Sequence, residues 1–488
     1  MHGRQSSLPK IRHARRSSCH YGERITVFLE KYVVKRSFEV KIHKFQLNGM
    51  YIMLDINSGV VHIIDEMIDK IMDIYNGSNK AEVIDALSTF YPESELNEAL
   101  LELDELIDNK ELFAEDLSLP PTFSEEPLVK SLCLHVAHDC NLRCQYCFAS
   151  TGDFGLDRSM MTTDIGEKAV DFIIANSGNR TNCEMDFFGG EPLMNMPVVK
   201  HVVSYIRKRE IESGKKFKLT LTTNGVLLND DNINYLKDND ISLVLSLDGR
   251  KEVHDKMRPN MAGQGSYEKS LANFKQAVVA NNGQNYVLRG TFTAYNLDFM
   301  ADVLDMVDKG FANVSVEPVV SKDVPYALEQ EHLPQLFAEY EKLAIEFINR
   351  KNTDKDFAFF HFNMDIHNGP CIAKRLSGCG AGHEYFAVAP NGDLYPCHQF
   401  VGRENYLMGN IFDGVKKKEV SADFRNAHVL NKEECSKCWA RFFCSGGCHA
   451  NADLFNSNIY QPYEIGCELQ KKRLECALMI QAQLAIVD

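Results

Sequence analysis

Ten cysteines fall into runs whose spacing suits metal ligation. Cys140, Cys144 and Cys147 stand in a CxxxCxxC run. Three thiolates within eight residues of loop can converge on one metal centre. On a four-iron, four-sulfide cube they leave one iron without a protein ligand, open to a chelating substrate. A random CxxxCxxC is expected roughly 0.01 times in a chain of this composition. Further on, Cys379 is followed after twelve residues by Gly392 and then, after four more, by Cys397. Cys435, Cys438, Cys444 and Cys448 follow in a Cx2Cx5Cx3C run, and eighteen residues separate Cys448 from Cys467. The competing chemistry is structural zinc, with His138 as a fourth ligand at the first run, because CxxC pairs also suit tetrahedral zinc.

The elements that must position these cysteines can be read along the chain. Between 131 and 318, six strand-like runs (SLCLHVA, CEMDFF, KLTLTT, ISLVLSL, YVLRGTFT, VSVEPVV) alternate with amphipathic helical stretches. That alternation predicts βα units on a parallel sheet, an α/β fold closing into a partial (β/α)6 barrel. Sites in such barrels lie at the C-terminal strand ends, and the first cysteine run follows the first strand. Residues 319–370 read as a helical bridge, and residues 371–488 as a cysteine-rich domain with a terminal helix from about 467 to 485. Upstream, IHKFQLN, MYIMLDIN and VVHIID are joined by Asn48–Gly49 and Asn57–Ser58–Gly59 turn signals, predicting three strands. Helical segments near 65–75, 79–90 and 93–110 follow. Together, 42–117 predict a winged helix-turn-helix-like module, with 118–130 as a Pro-rich linker and 1–41 as a basic, irregular leader.

Charge and composition narrow the partners. The 488 residues carry a formal net charge of −15, unevenly spread: 17 acids against 3 bases over 55–118, but 11 bases against 3 acids over 1–44. An acidic module does not suit nucleic acid, which rewards phosphate-neutralising Lys and Arg; it suits a basic or mixed-charge peptide. No 18-residue apolar run marks a membrane span, and no apolar segment marks a signal peptide. The expected setting is the cytoplasm, where 15 cysteines read as ligands rather than disulfides.

CNLRCQYC after a strand, with Gly189-Gly190-Glu191-Pro192 after the next, resembles the radical S-adenosylmethionine (SAM) superfamily. The seven later cysteines resemble its SPASM extension. The resemblance implies SAM and three [4Fe–4S] clusters. Cys140, Cys144 and Cys147 would hold the SAM-binding cluster. Cys379, Cys397 and Cys448 would hold one auxiliary cluster, with Cys371 as a fourth ligand or an open iron. Cys435, Cys438, Cys444 and Cys467 would hold the other. Gly189, Gly190, Glu191, Pro192, Asn224, Ser246, Asp248 and Arg258 are implied as SAM-contacting or fold-supporting residues. In the family the bound sulfonium is cleaved reductively to a 5′-deoxyadenosyl radical.

Residues 42–480 further resemble the maturases of six-cysteine (SCIFF) peptides. That implies a ribosomally made, Cys-rich precursor held by its leader, thioether (sactionine) bonds from Cys sulfur to an α-carbon, and a flavodoxin or ferredoxin as electron donor. Forming the bond releases an electron that an auxiliary cluster can accept. The runner-up is an anaerobic sulfatase maturase, which forms formylglycine. There the pattern resembles NGDxYPCD, whereas here His398 replaces the final Asp and becomes the candidate base. A non-enzymatic zinc-binding peptide adaptor is the reading from another class. Cys133 and Cys183 read as buried apolar residues, and His135, His138, His254 and His449 as structural.

Overall fold

The computed structural model describes residues 41–116, 128–364 and 376–487; the leader at 1–40, most of the Pro-rich linker, Cys19 and Cys371 lie outside the described residues. Three strands open the chain, β1 (Ile42–Leu47), β2 (Met50–Asp55) and β3 (Val61–Ile64), in an antiparallel sheet of order β1-β2-β3. Helices α1 (Glu66–Ile71), α2 (Lys80–Leu87) and α3 (Glu93–Asp108) pack on it. Asp65 caps α1 by accepting the Ile68 N–H at 2.8 Å, which supplies a partner to one unpaired donor of the first turn. Leu96, Leu100 and Leu103 of α3 share a separate small core with Ile68, Ile71 and Val83, the i, i+4, i+7 face that the sequence spacing predicts.

The large sheet begins with β4 (Ser131–Ala137) and runs through β5 (Asn182–Gly189), β6 (Lys216–Thr223), β7 (Ile241–Ser246), β8 (Tyr286–Phe292) and β9 (Asn313–Pro318), all parallel. Helices α4 (Thr163–Asn176), α5 (Met196–Ser213), α6 (Asp230–Asp238), α7 (Lys251–Met257), α8 (Tyr267–Ala280) and α9 (Phe299–Asp308) fill the crossovers. The six strands stand where the sequence alternation places them. Their burial alternates: Met185, Phe187, Leu219, Leu221, Leu243 and Leu245 are buried under the helices, while the residues between them are half-buried on the concave face. A parallel strand covered on both faces would read as continuously apolar; this alternation marks a chamber on one side.

Two features depart from the expected divisions. Within the expected helical bridge, α10 (Leu333–Arg350) is followed by a two-residue strand, β10 (Ala358–Phe359), paired in parallel with β9. The cysteine-rich region is joined to the barrel sheet rather than set beside it. Its first strand, β11 (Tyr385–Val388), lies parallel to β4, and β12 (Asp393–Tyr395), β13 (Gly409–Asn410) and β14 (Gly414–Val415) continue the sheet to eleven strands. Both edges of the six-stranded core are thereby paired, which removes exposed ladder groups. Helices α11 (Lys418–Asn426), α12 (Glu433–Ser436), α13 (Arg441–Cys444), α14 (His449–Asn456) and α15 (Glu464–Val487) complete the chain. No described helix is long and apolar enough to cross a membrane.

Candidate active site

The first cysteine run forms the loop leaving β4, and neighbouring strand ends clamp it. Gly189 adopts φ +126°, and a Cβ there would meet the Ala137 carbonyl oxygen at 2.3 Å; a Cβ on Gly190 would meet the Asp139 carbonyl oxygen at 2.1 Å. Only glycine permits this approach. It lets the Gly190 N–H donate to Ala137 (2.8 Å) and the Glu191 N–H to Asp139 (2.9 Å). The Glu191 carboxylate is buried and accepts from Leu193 N–H, Thr223 Oγ1 and Asn224 N–H at 3.1, 2.8 and 2.8 Å. Burial pushes its pKa up to about 7 against those donors. Glu191 thus ties the end of β5 to the end of β6. Asn224 in turn donates through Nδ2 to Asn141 Oδ1 (2.8 Å) and lies 3.7 Å from Cys140 Sγ.

On the far side, Asp248 receives a bidentate pair from Arg258 (2.9 and 3.0 Å), the Tyr146 hydroxyl (2.6 Å) and the Thr291 N–H (2.9 Å). Asp248 is fully buried and Arg258 nearly so. Their side chains bond to each other and, through Tyr146, to the cysteine loop. Arg258 also lies over the Tyr146 ring at 5.4 Å. Ser246 ends β7 half-buried on the concave face, paired in register with Arg289. Pro192 starts a short 3-10 turn capped by Glu191.

The thiols of Cys140, Cys144 and Cys147 lie within electrostatic reach of one another, and burial pushes Cys140 and Cys144 up to about 12 and raises Cys147. Leu142 N–H points at Cys140 Sγ at 3.4 Å. Buried thiols of this kind ionise when a metal takes the proton's place. The later cysteines assemble in two further groups. Cys397 faces Cys448 and Cys379, and the Gln399 and Phe400 N–H groups point at its sulfur. Cys467 faces Cys444, Cys435 and Cys438, with Cys467 pushed up to about 12 and Cys435 to about 11 by burial. Among the described residues no three His, Cys, Asp or Glu side chains converge tightly enough for a single ion. Thiolate sets of this kind suit a four-iron cube, which takes each sulfur at a different corner.

The register lines the concave face with Cys133, His135, Asp186, Phe188, Thr220, Thr222, Ser246, Arg289 and Glu317. Arg289 is the exposed residue of β8. Phe148, half-exposed just after Cys147, stands 5.6 Å from the His398 ring, and Phe188 stands 5.1 Å from it. His398 Nδ1 is bonded to the Tyr385 hydroxyl at 2.9 Å, and burial lowers its pKa to about 4. The ring is therefore neutral at pH 7. His135 and His138 pair at 3.1 Å, both neutral through burial. Cys133, Cys183 and Cys476 are buried. Sequence reasoning missed the Phe148–Phe188–His398 wall and Arg289; a charged residue inside an otherwise apolar β8 was the available signal for the latter.

Comparison with known proteins agrees with this arrangement. Residues 134–293 match the radical SAM superfamily and residues 379–439 match SPASM, an iron–sulfur cluster-binding domain. The cysteine-type anaerobic sulfatase-maturating enzyme of Clostridium novyi (strain NT) is 24% identical over 339 residues, 64% of this chain and 86% of its own length. The antilisterial bacteriocin subtilosin biosynthesis protein AlbA of Bacillus subtilis (strain 168) is 24% identical over 372 residues, 72% of this chain and 74% of its own. The solved structure of native anSMEcpe with bound AdoMet shares the fold with a TM-score of 0.61 at 20% identity, covering 73% of this chain and 99% of that one. SAM and [4Fe–4S] clusters are the cofactors these two domains imply. The clamped three-cysteine loop at the barrel mouth, continuous with a cysteine-rich extension, places the chain in the radical SAM superfamily, among its SPASM-bearing enzymes.

Proposed function

We propose that the protein is a maturase that forms thioether (sactionine) bonds, from Cys sulfur to an α-carbon, in a ribosomally made Cys-rich precursor peptide of the SCIFF type. The observation that carries this reading is the N-terminal module. The anSMEcpe structure is matched almost end to end, yet about a quarter of this chain is left over, a share close to the region preceding the barrel. That region holds a three-stranded sheet with β3 at its edge among the described residues, an edge of the kind that receives an added strand from a peptide. Tethering through a leader raises the local concentration of core residues at the chamber.

Cys140, Cys144 and Cys147 would hold the SAM-binding cluster, which with SAM bound supplies a carbon-centred radical able to take hydrogen from an unactivated carbon. Asn224, Glu191 and the Asp248–Arg258–Tyr146 group fix the loop. Phe148, Phe188 and the neutral His398 ring wall the chamber and exclude water from it. Arg289 presents the positive charge on the wall. Cys379, Cys397 and Cys448 would hold one auxiliary cluster and Cys435, Cys438, Cys444 and Cys467 the other. A flavodoxin or ferredoxin is the proposed donor. Nucleic acid has no place in this reading, given the acidic module.

Sulfatase maturation is the second reading, favoured by the similarity to sulfatase-maturating enzymes. Two peptides separate the readings. Incubation with a leader-bearing, six-cysteine precursor should remove two hydrogens and block one thiol for each bridge formed. Conversion instead of a short sulfatase-derived cysteine peptide to its aldehyde, with the precursor untouched, would move the assignment to the second reading.

A further inference from the structure

We propose that the N-terminal module is also the outer wall of the second auxiliary cluster site, so that the part that would grip the leader keeps water from that cluster. The proposal rests on reading Cys435, Cys438, Cys444 and Cys467 as ligands of one cluster. Four contacts carry it. The His43 ring of β1 stacks on Trp439, the residue after Cys438, with centroids 3.7 Å apart and planes within 2°. His43 Nε2 also meets Glu475 Oε1 of α15 at 3.1 Å. Arg441, three residues before Cys444 and almost wholly buried, donates through Nη2 to Asn57 Oδ1 at 2.9 Å. Ile56, beside Asn57, is buried in one apolar cluster with Cys435, Val429, Phe442 and Leu376.

The turn between β2 and β3 is built for this contact. Asp55 accepts from the Ser58 N–H and hydroxyl at 2.8 and 2.7 Å, which fixes the turn. Asn57 spends its Nδ2 on the Ala114 carbonyl (2.9 Å), which leaves Oδ1 aimed at Arg441. A hairpin turn that served the hairpin alone would put its tip in water; this one is inserted between Arg441 and the apolar cluster around Cys435. Outer contacts of this kind orient ligand loops and set solvent access to a metal centre. Deleting 42–117 would therefore strip a cluster site as well as the peptide grip, and is not a clean test of leader capture.

The test uses iron-loaded enzyme without any peptide, so that leader binding cannot contribute. Release of iron to a ferrous chelator is followed in wild type, Asn57→Ala, the double variant His43→Ala/Asn57→Ala, and His43→Phe, which keeps the stack. Reductive titration by electron paramagnetic resonance follows the potential of each cluster. In the double variant, about four of about twelve irons should leave roughly tenfold faster than in wild type, and one cluster alone should shift in potential. Asn57→Ala should show a smaller change of the same kind, and His43→Phe should stay close to wild type. Equal release and equal potentials in all four proteins overturn the proposal. A wild type that binds only about eight irons overturns the cluster assignment itself, and the proposal with it.

Discussion

The barrel and the cysteine-rich region hold their cysteines by opposite means. In the barrel, the loop carrying Cys140, Cys144 and Cys147 is clamped by protein alone: Gly190 and Glu191 on one side, Asn224 behind, and Asp248 with Arg258 on the other. Six parallel strands of six to eight residues stand beneath it. In the cysteine-rich region, α12 and α13 are four residues long and β13 and β14 two. Isolated elements that short do not hold themselves. Cys435 lies in α12 and Cys444 in α13, so on the proposed ligation a cluster would supply much of the order there. On the proposed ligation, a cluster would be a guest in the barrel and a building element in the cysteine-rich region.

The largest expected effect follows directly. Chelating iron from the anaerobic protein should leave the amides of β4 to β9 protected from hydrogen exchange while those of 418–456 open. Equal protection in both regions would erase the contrast. Next comes Arg258→Ala, which leaves Asp248 buried without its cation. A loss of about 3–5 kcal/mol in barrel stability is expected, read by denaturant unfolding of the chelated protein; a loss below 1 kcal/mol would mean the pair is not what fixes the loop. Gly190→Ala forces a Cβ towards the Asp139 carbonyl and should cost about 1–3 kcal/mol, with the cysteine-rich region unaffected.

A pH dependence inside the barrel completes the set. His254 is buried, its Nε2 lies 3.0 Å from Ser266 Oγ, and burial lowers its pKa to about 4. Its unfolded pKa is near 6.5, so the unfolded chain binds the proton that the folded one refuses. The stability it contributes is present above pH 6.5 and is lost as pH falls towards 4, at about 1.4 kcal/mol per pH unit over that window. His254→Asn should flatten that slope in melts of the chelated protein; an unchanged slope would place the acid sensitivity elsewhere.

Much of this architecture was legible in the residues. Strand runs such as KLTLTT and ISLVLSL carry their period in the sequence, and the turn pairs Asn48–Gly49 and Asn57–Ser58–Gly59 announce the first sheet. The cysteine spacings announce three groups because loop-borne ligands must be close in sequence to be close in space. What was not legible depends on distance along the chain. Nothing local links Asp248 to Tyr146, or His43 to Trp439, and a strand-end Asp-Gly reads as a turn whether or not it anchors a buried Arg. The joining of β11 to β4 was hidden for the same reason: parallel pairing between strands some 250 residues apart leaves no periodic trace. His398 was visible as a candidate base by residue type, but its burial and its bond to Tyr385 are tertiary facts.

The central claim is that three loop thiolates at the barrel mouth hold the cluster at which SAM is cleaved. The measurement is iron content together with 5′-deoxyadenosine yield under reductant, in wild type and in the Cys140→Ala/Cys144→Ala/Cys147→Ala variant. The account predicts a fall from about twelve to about eight irons, with nucleoside formation abolished. Undiminished iron, or continued SAM cleavage in the variant, would contradict it.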